Sequence, residues 1–174
     1  MAGTSRSFWK RLSISTRKPK EESTSNLRLA EEDDLSFVSV LSRSFERFGP
    51  YEEIIPRWFH DQFIKTYIFE ENGQRVGFFM LGLMWPVWFS RMLDLMAIAV
   101  VPEKRGRGIG TSMVEAAKRI ARSKGYHFLR AHVGCDNQPA LALFRRASFR
   151  LKKRIERYYP SGLAAYEFVA DLRN

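Results

Sequence analysis

Residues 101–110, VPEKRGRGIG, put three glycines and three cations into ten positions. An apolar, nearly uncharged run, MLDLMAIAVV, precedes them, and a helical pattern follows. A strand that runs into Gly-x-Gly and then a helix forms an anion cradle. The first backbone N–H groups of a helix have no partner inside it, and glycine removes the side chains that would hold a ligand away. Arg105 and Arg107 add neutralising charge, and Thr111 adds a hydroxyl donor. The chemistry implied is the binding of a phosphate or diphosphate. A tight turn packed with glycine is the plainer reading of the loop by itself. Two nucleotide motifs are excluded. No Gly-Lys-Ser/Thr closes the loop as a P-loop requires, and the loop follows the fourth expected strand instead of opening a dinucleotide-binding unit.

The elements that hold this loop follow from periodicity. Leu27 and Leu29 alternate as a short strand. Glu31 to Asp34 place acids where a helix begins, and Phe37, Leu41 and Phe45 give that helix one apolar stripe. Gly49 and Pro50 break it, and a second helix is expected to start near Pro56. Asn72-Gly73 is a two-residue hairpin turn between β-rich arms, and MLDLMAIAVV reads as a central strand covered on both faces. Met113, Ala116, Ala117 and Ile120 mark a helix that stops at Lys124-Gly125. YHFLRAHV is a strand, and NQPALALFRRA is a helix with Asn137 as N-cap and Pro139 in its first turn. FRLKKRIERYY and AAYEFVADL finish as two strands around Pro160-Ser161-Gly162. The expected order is β, α, α, β, β, β, α, β, α, β, β, without an internal repeat.

A chain of 174 residues, 45% hydrophobic and 14% aromatic, is long enough for one core and is not a disordered or collagen-like sequence. The formal net charge is +10, and six cations against Glu21 and Glu22 within residues 1–25 leave +6 for the rest. A moderately basic body suits an anionic ligand as well as it suits nucleic acid, and direct nucleic-acid binding is not expected from charge alone. Residues 1–25 read as a basic flexible tail, with an organelle transit peptide as the alternative. Cys135 is the single cysteine, which excludes an intrachain disulfide and a cysteine-rich zinc site. No metal is expected, and a reducing, cytoplasmic location is. The longest apolar stretch, around Val76 to Phe89, is too short for a membrane helix and is interrupted by Gly82 and Pro86, so no membrane partner is expected.

AIAVVPEKRGRGIGTSMVEAA resembles the Arg-x-x-Gly-x-Gly acyl-CoA loop of the GNAT superfamily of N-acetyltransferases. NQPALALFRRASF is similar to that family's Asn-x-x-Ala-x-x-Leu-Tyr-x-x-x-Gly-Phe helix, and the element order agrees over residues 26 to 172. The resemblance implies an α+β domain over residues 26–174. Its central sheet is mixed and mostly antiparallel, with about seven strands flanked by about four helices, and splayed between strands four and five. It implies acetyl-CoA as co-substrate, with the diphosphate held along Arg105, Gly106, Arg107, Gly108, Ile109, Gly110 and Thr111. It further implies that the pantetheine arm pairs with Ile98, Ala99 and Val100, and that Asn137 and Phe144 contribute from the next helix.

HVGCDN and YYPSGLAAYEF resemble the branch that acetylates protein N-termini, including its ribosomal-protein members. A Tyr-Tyr pair there closes over the first substrate residues. Here that pair is Tyr158 and Tyr159, and Phe48, Pro50, Tyr51 and Glu52 of FGPYEE form the other wall. Glu52 and Glu53 serve either the incoming ammonium or the start of a helix. The expected reaction is transfer of acetyl to the α-amino group of a protein N-terminus by direct attack in a ternary complex. A small amine, an amino acid or a lysine side chain is the alternative acceptor, and a non-catalytic acyl-CoA-binding module is a third reading. Protein or peptide N-termini are the expected partners, with ribosome association through the basic tail.

Attack requires a neutral amine, and a free α-amino group has a pKa of about 7.7–8.0, so modest base assistance suffices. His132 stands where related enzymes use a histidine or glutamate as base, often through water; a merely hydrogen-bonded strand histidine is the alternative. Asp94 matches an acidic position that anchors a catalytic water; pairing with an arginine such as Arg91 is the alternative. Phe144 departs from the family, which carries a general-acid tyrosine there, so water or Tyr158 must take that role. Ser148 also replaces the glycine before Phe149. No covalent intermediate is required, and Cys135 is read as inert packing.

Overall fold

Residues 26–84 and 91–173 are described by a computed structural model; the expected tail over residues 1–25 and the interruption at Pro86 lie outside them. The chain runs through β1 (Leu27–Leu29), α1 (Leu35–Ser42), α2 (Tyr51–Phe59), β2 (Lys65–Glu71), β3 (Gln74–Gly82) and β4 (Met92–Val100). It continues with α3 (Ile109–Ser123), β5 (Phe128–Gly134), α4 (Gln138–Arg146), β6 (Arg150–Ile155) and β7 (Ala165–Asp171). The strands form one sheet in the order β1-β2-β3-β4-β5-β7-β6. Only β4 and β5 are parallel, joined by the crossover through α3. This is the expected order and the expected GNAT-like fold. Asn72 and Gly73 both take positive φ, at 53° and 75°, as a two-residue hairpin turn between twisted strands demands.

The sheet is covered on both faces. Ile68, Phe78, Met80, Ala97 and Ala99 pack with Val38, Leu41 and Ile55 of α1 and α2. Phe79, Leu95, Leu129, Ala131 and Phe168 pack with Met113, Ala117, Leu141 and Phe144 of α3 and α4. β4 contributes to both cores, which explains its unbroken apolar sequence.

Two expectations about the helices are corrected. The second helix begins at Tyr51, directly after Pro50, whose carbonyl accepts from the N–H groups of Glu53 and Ile54 at 3.1 Å each. Pro56 lies inside it, where the lost N–H removes one helical bond but Ile55, fully buried, keeps the turn on the sheet. The stripe on α1 also differs. Val38 and Leu41 are buried, whereas Phe37 and Phe45 are half-buried. After Ser42 the chain tightens into a 3-10 helix over Arg43–Phe48, and its three residues per turn rotate Phe48 inward instead.

The inner edges of the sheet part at one place. β4 pairs with β5 from Met92↔Phe128 to Leu95↔Ala131, and there the ladder stops. On the other side Met80 faces Ala97 but Leu81 faces Leu95, so Met96 is an extra residue in β4 and bends the strand away. β5 meanwhile stays paired with β7 as far as Gly134↔Ala165.

Asp34, in the 3-10 turn before α1, anchors the opposite edge. It is fully buried, and Arg28 donates to its two oxygens at 2.7 and 3.0 Å. Arg75 lies 2.7 Å from Oδ1, and the Glu31 N–H donates at 2.8 Å. The Arg28 hydrogen bond holds this carboxyl below its ordinary pKa, against the opposing effect of burial. Asp34→Asn is expected to cost about 3 kcal/mol, because two guanidinium groups lose their anion. The folded pKa is lowered, so this contribution is complete above the unfolded value of about 3.9 and disappears as pH falls through the folded value. Urea unfolding of both proteins at pH 7 and at successively lower pH should show the difference shrinking. Ser148 holds φ at 62° at the end of α4, where the Phe149 N–H returns to the Phe144 carbonyl at 3.0 Å. Ser148→Gly should raise stability by about 1 kcal/mol, read as a Tm about 2–4 °C higher.

Candidate active site

The glycine loop meets the requirements of an anion cradle. Gly106 and Gly108 have φ of 75° and 83°, and a Cβ on either would meet no atom within 4 Å. The glycines are therefore demanded by the left-handed backbone, and the space before them is open. Gly108 is the N-cap of α3 and gives no side-chain cap; the first bond of the helix runs from the Ser112 N–H to the Gly108 carbonyl at 3.0 Å. The amides of Ile109, Gly110 and Thr111 thus have no acceptor within the helix. Arg105 donates through Nε to the Val100 carbonyl at 2.9 Å, which pins the loop to the end of β4. Arg107 and Thr111 are exposed beside it. Exposed donors, a positive helix end and two guanidinium groups fit the diphosphate of acetyl-CoA.

A cavity of about 100 Å³ lies where β4 and β5 part. Met96 and Ile98 of β4, His132 and Gly134 of β5, and Asn137, Ala140 and Phe144 of the α4 segment line it. One wall is aromatic: Phe45, Phe48, Tyr51, Trp58, Tyr158 and Tyr159. Two distant loops meet to form this wall. The Ser161 N–H donates to the Phe48 carbonyl at 3.1 Å, and the Phe48 and Tyr159 rings lie 4.5 Å apart. A Cβ on Gly134 would come within 2.6 Å of Phe48 Cε1, so the bare backbone of β5 is what lets that ring seat.

A polar row crosses the sheet under the wall. Alternation puts Arg130 and His132 on one face of β5, opposite Leu129, Ala131 and Val133. Arg130 donates to Asp94 of β4, at 2.6 Å from Nε and 3.2 Å from Nη2, and Asp94 also accepts the Met84 N–H at 2.9 Å. Arg91, the partner considered from sequence, instead meets His127 at 2.9 Å. His132 Nε2 lies 3.4 Å from Glu167 Oε2, and its ring stacks on Tyr158 at 4.4 Å. Burial and then the Arg130 charge lower the His132 pKa, with Glu167 and Asp94 pulling the other way. The imidazole is therefore neutral at pH 7. A carboxylate accepts the Nε2–H, which leaves Nδ1 with the lone pair. Burial pushes the Tyr158 and Tyr159 hydroxyls far above their ordinary pKa. Tyr159 donates to the His132 carbonyl at 3.2 Å, while Tyr158 has a weak acceptor, Met84 Sδ at 3.4 Å.

Most residues singled out from sequence converge here. His132, Asp94, Tyr158, Tyr159, Phe48, Tyr51, Ile98, Asn137 and Phe144 all line the cavity. Pro50 and Glu52 do not; both are exposed, and the neighbouring Glu53 pairs with Arg57 at 3.1 Å along α2. Ala99 is buried against the α1–α2 face, and Asn137 Oδ1 accepts the Ala140 N–H at 3.3 Å as the cap of α4. Phe144 packs edge-on against Phe149, at 5.1 Å between centroids. Sequence reasoning did not single out Arg130 and Glu167. The available signal was a charged residue in the interior of each of two largely apolar strands, Arg130 in β5 and Glu167 in β7; their partners required the sheet register. Among the described residues no cluster fit for a metal ion occurs, and no helix is long and apolar enough to cross a membrane.

The model of the Acetyltransferase (GNAT) family matches residues 27–149. An N-alpha-acetyltransferase from Sulfurisphaera tokodaii is 27% identical over 172 residues, covering 90% of this chain and 96% of that protein. An uncharacterised N-acetyltransferase from Methanocaldococcus jannaschii is 26% identical over 144 residues, 76% of this chain; the match spans 64% of that relative's length. The ribosomal-protein-alanine N-acetyltransferase structure from Brucella melitensis superposes with a TM-score of 0.73 at 21% identity, covering 83% of this chain and 98% of that one. The spermidine N-acetyltransferase of Vibrio cholerae in complex with CoA and spermine superposes at 0.69 and 17% identity, covering 84% and 94%. These structural likenesses establish the fold.

The lowered His132 pKa has a direct check. Proton NMR of the imidazole Cε1–H should titrate with a midpoint below the ordinary 6.5, and Arg130→Met should move that midpoint upward by removing a repelling charge.

Proposed function

The chain belongs to the GNAT acetyltransferase family and is an acetyl-CoA acetyltransferase, and from that premise we propose that its acceptor is the α-amino group of a protein N-terminus. The charge of the cavity carries this choice. Among the described residues that line the cavity, Asp94 is the one carboxylate, and Arg130 neutralises it. A polyamine brings several ammonium groups, each of which needs an unpaired carboxylate to replace its water. A peptide N-terminus brings one amine and one side chain, and Phe48, Tyr51, Trp58 and Met96 offer that side chain an apolar cover. The names of the Sulfurisphaera and Brucella proteins support the same reading.

Acetyl-CoA, when bound, supplies the acetyl group as an activated thioester. The amides of Ile109, Gly110 and Thr111, with Arg105 and Arg107, would hold its diphosphate, and Ile98, Ala99 and Val100 its pantetheine arm. Neutral His132 accepts the ammonium proton of the acceptor at Nδ1, directly or through water. Asp94 positions Arg130, whose charge disfavours the protonated imidazole. Tyr158 keeps its proton throughout the physiological range and commits it to no strong acceptor among the described residues. It is thus the hydroxyl that replaces the missing tyrosine at Phe144, holding a proton at Oη for the leaving sulfur.

CoA release measured with peptides of varied first residue, free lysine and spermidine tests the acceptor. Turnover is expected on Met-initiated and Ser-initiated peptides, and comparable kcat/KM on spermidine or lysine would overturn the assignment. His132→Ala should lower kcat by about 10²-fold while acetyl-CoA binding by calorimetry is retained. A fully active His132→Ala, Asp94→Asn double variant would remove both residues from the mechanism.

A further inference from the structure

Residues 26–174 carry 23 cations and 17 acids. Between residues 145 and 157 stand seven cations and one acid, Glu156, so the remainder of the folded body holds 16 of each and is neutral. Arg145 and Arg146 end α4; Arg150, Lys152, Lys153 and Arg154 occupy β6; Arg157 follows in the turn. All seven are exposed, and β6 is an edge of the sheet, without a described strand on its outer side. No described carboxylate pairs with Arg145, Arg146, Lys152 or Arg157. None of the seven lines the cavity, although Lys153 Nζ comes within 3.9 Å of Glu167 at its margin. The strip thus carries a net charge of +6, seven cations against Glu156.

We propose that this strip, from the last turn of α4 along β6 to Arg157, is a binding surface for the phosphodiester backbone of nucleic acid. Six residues of strand extend about 20 Å, enough to follow several phosphates of a duplex strand, which carries one for about every 3.4 Å of helix axis. Five of the seven cations are arginines, whose planar forks match phosphate oxygens in pairs. A protein interface of this area would need buried aromatic or aliphatic anchors, and a membrane surface would need apolar side chains to insert. Leu151, 48% exposed, is the one large apolar side chain exposed on the strip. Charges on an edge strand also deter pairing with other chains, but that purpose does not require Arg145 and Arg146 at the end of α4. The net charge alone gave no reason to expect nucleic acid; its placement does. Backbone contacts read no sequence, so RNA and DNA are both eligible.

Fluorescence anisotropy of the full chain with a labelled 20-nucleotide single-stranded RNA and a 20-base-pair DNA duplex, across a salt series, tests this. Two variants of equal net charge are compared with wild type: R145Q/R146Q/K152Q/R157Q on the strip, and R43Q/K65Q/R119Q/K124Q elsewhere. All eight positions are exposed, and equal thermal midpoints verify the folds. Residues 1–25 contribute equally to all three proteins. The strip variant should weaken binding of at least one nucleic acid more than tenfold. For RNA it should lower the slope of log K against log salt by about 3, at about 0.7 for each phosphate that is no longer neutralised. The other variant should change Kd less than threefold. Equal weakening by both variants, or no binding by wild type, would overturn the proposal. Competition by polyglutamate or phosphatidylserine vesicles as strong as by nucleic acid of equal charge would reassign the strip and overturn it as well.

Discussion

The candidate active site depends on a ladder that ends early. β4 and β5 share hydrogen bonds only as far as Leu95↔Ala131, and each then follows its other neighbour. The main chain of both strands stays satisfied on its outer side, so parting them does not dismantle the sheet. What it frees is the inner edge of β4 from Met96 onward, an extended backbone surface that leads straight to the uncapped start of α3. A ligand with a peptide-like arm and a terminal diphosphate is complementary to both. The extra residue at Met96 is the local device, since a bulge bends and twists the strand that bears it.

The same parting creates a space that must be filled or closed, and the chain closes it with aromatic rings. Phe48 sits over Gly134, and Tyr159 packs on Phe48 while its hydroxyl returns to the β5 backbone. Gly49 admits Pro160 in the same way, because a Cβ there would meet the proline at 2.8 Å. The walls are consequently coupled: a change in one loop displaces the other. Under them the charged groups alternate in sign across three strands, from Asp94 through Arg130 to Glu167. Burial first, and then the Arg130 charge, lower the pKa of the histidine, while Asp94 and Arg130 are paired, which is the condition for retaining charge at low dielectric.

Charge is handled differently inside and outside. The cavity balances its ions pair by pair, whereas the strip from Arg145 to Arg157, outside it, carries seven exposed cations against one acid. The site and the cationic edge touch at Lys153, whose Nζ lies 3.9 Å from Glu167, while exposed charges more than about 8 Å from the site are largely screened at physiological ionic strength.

Much of this was legible in the residues themselves. The hairpin at Asn72-Gly73, the glycine loop, the cap at Asn137 and the order of eleven elements depend on interactions between near neighbours in sequence, which periodicity and turn chemistry record. His132 and the tyrosine pair were found through resemblance, and the structure brought them together. The start of α2 was misjudged because Pro50 and Pro56 are both admissible in a first turn, and only the packing of Ile55 selects between them. Pro50 and Glu52 were placed in the wall by adjacency to Phe48, but the helix start turns them away from it. Glu167 opposite His132, Arg130 holding Asp94, and Phe48 against Ser161 join residues 35, 36 and 113 positions apart. Sequence determined the strands and the anion cradle, because these are local. The tertiary structure alone decided which charges face each other and how the cavity is closed, because strand register and loop packing are set by contacts that no local pattern encodes.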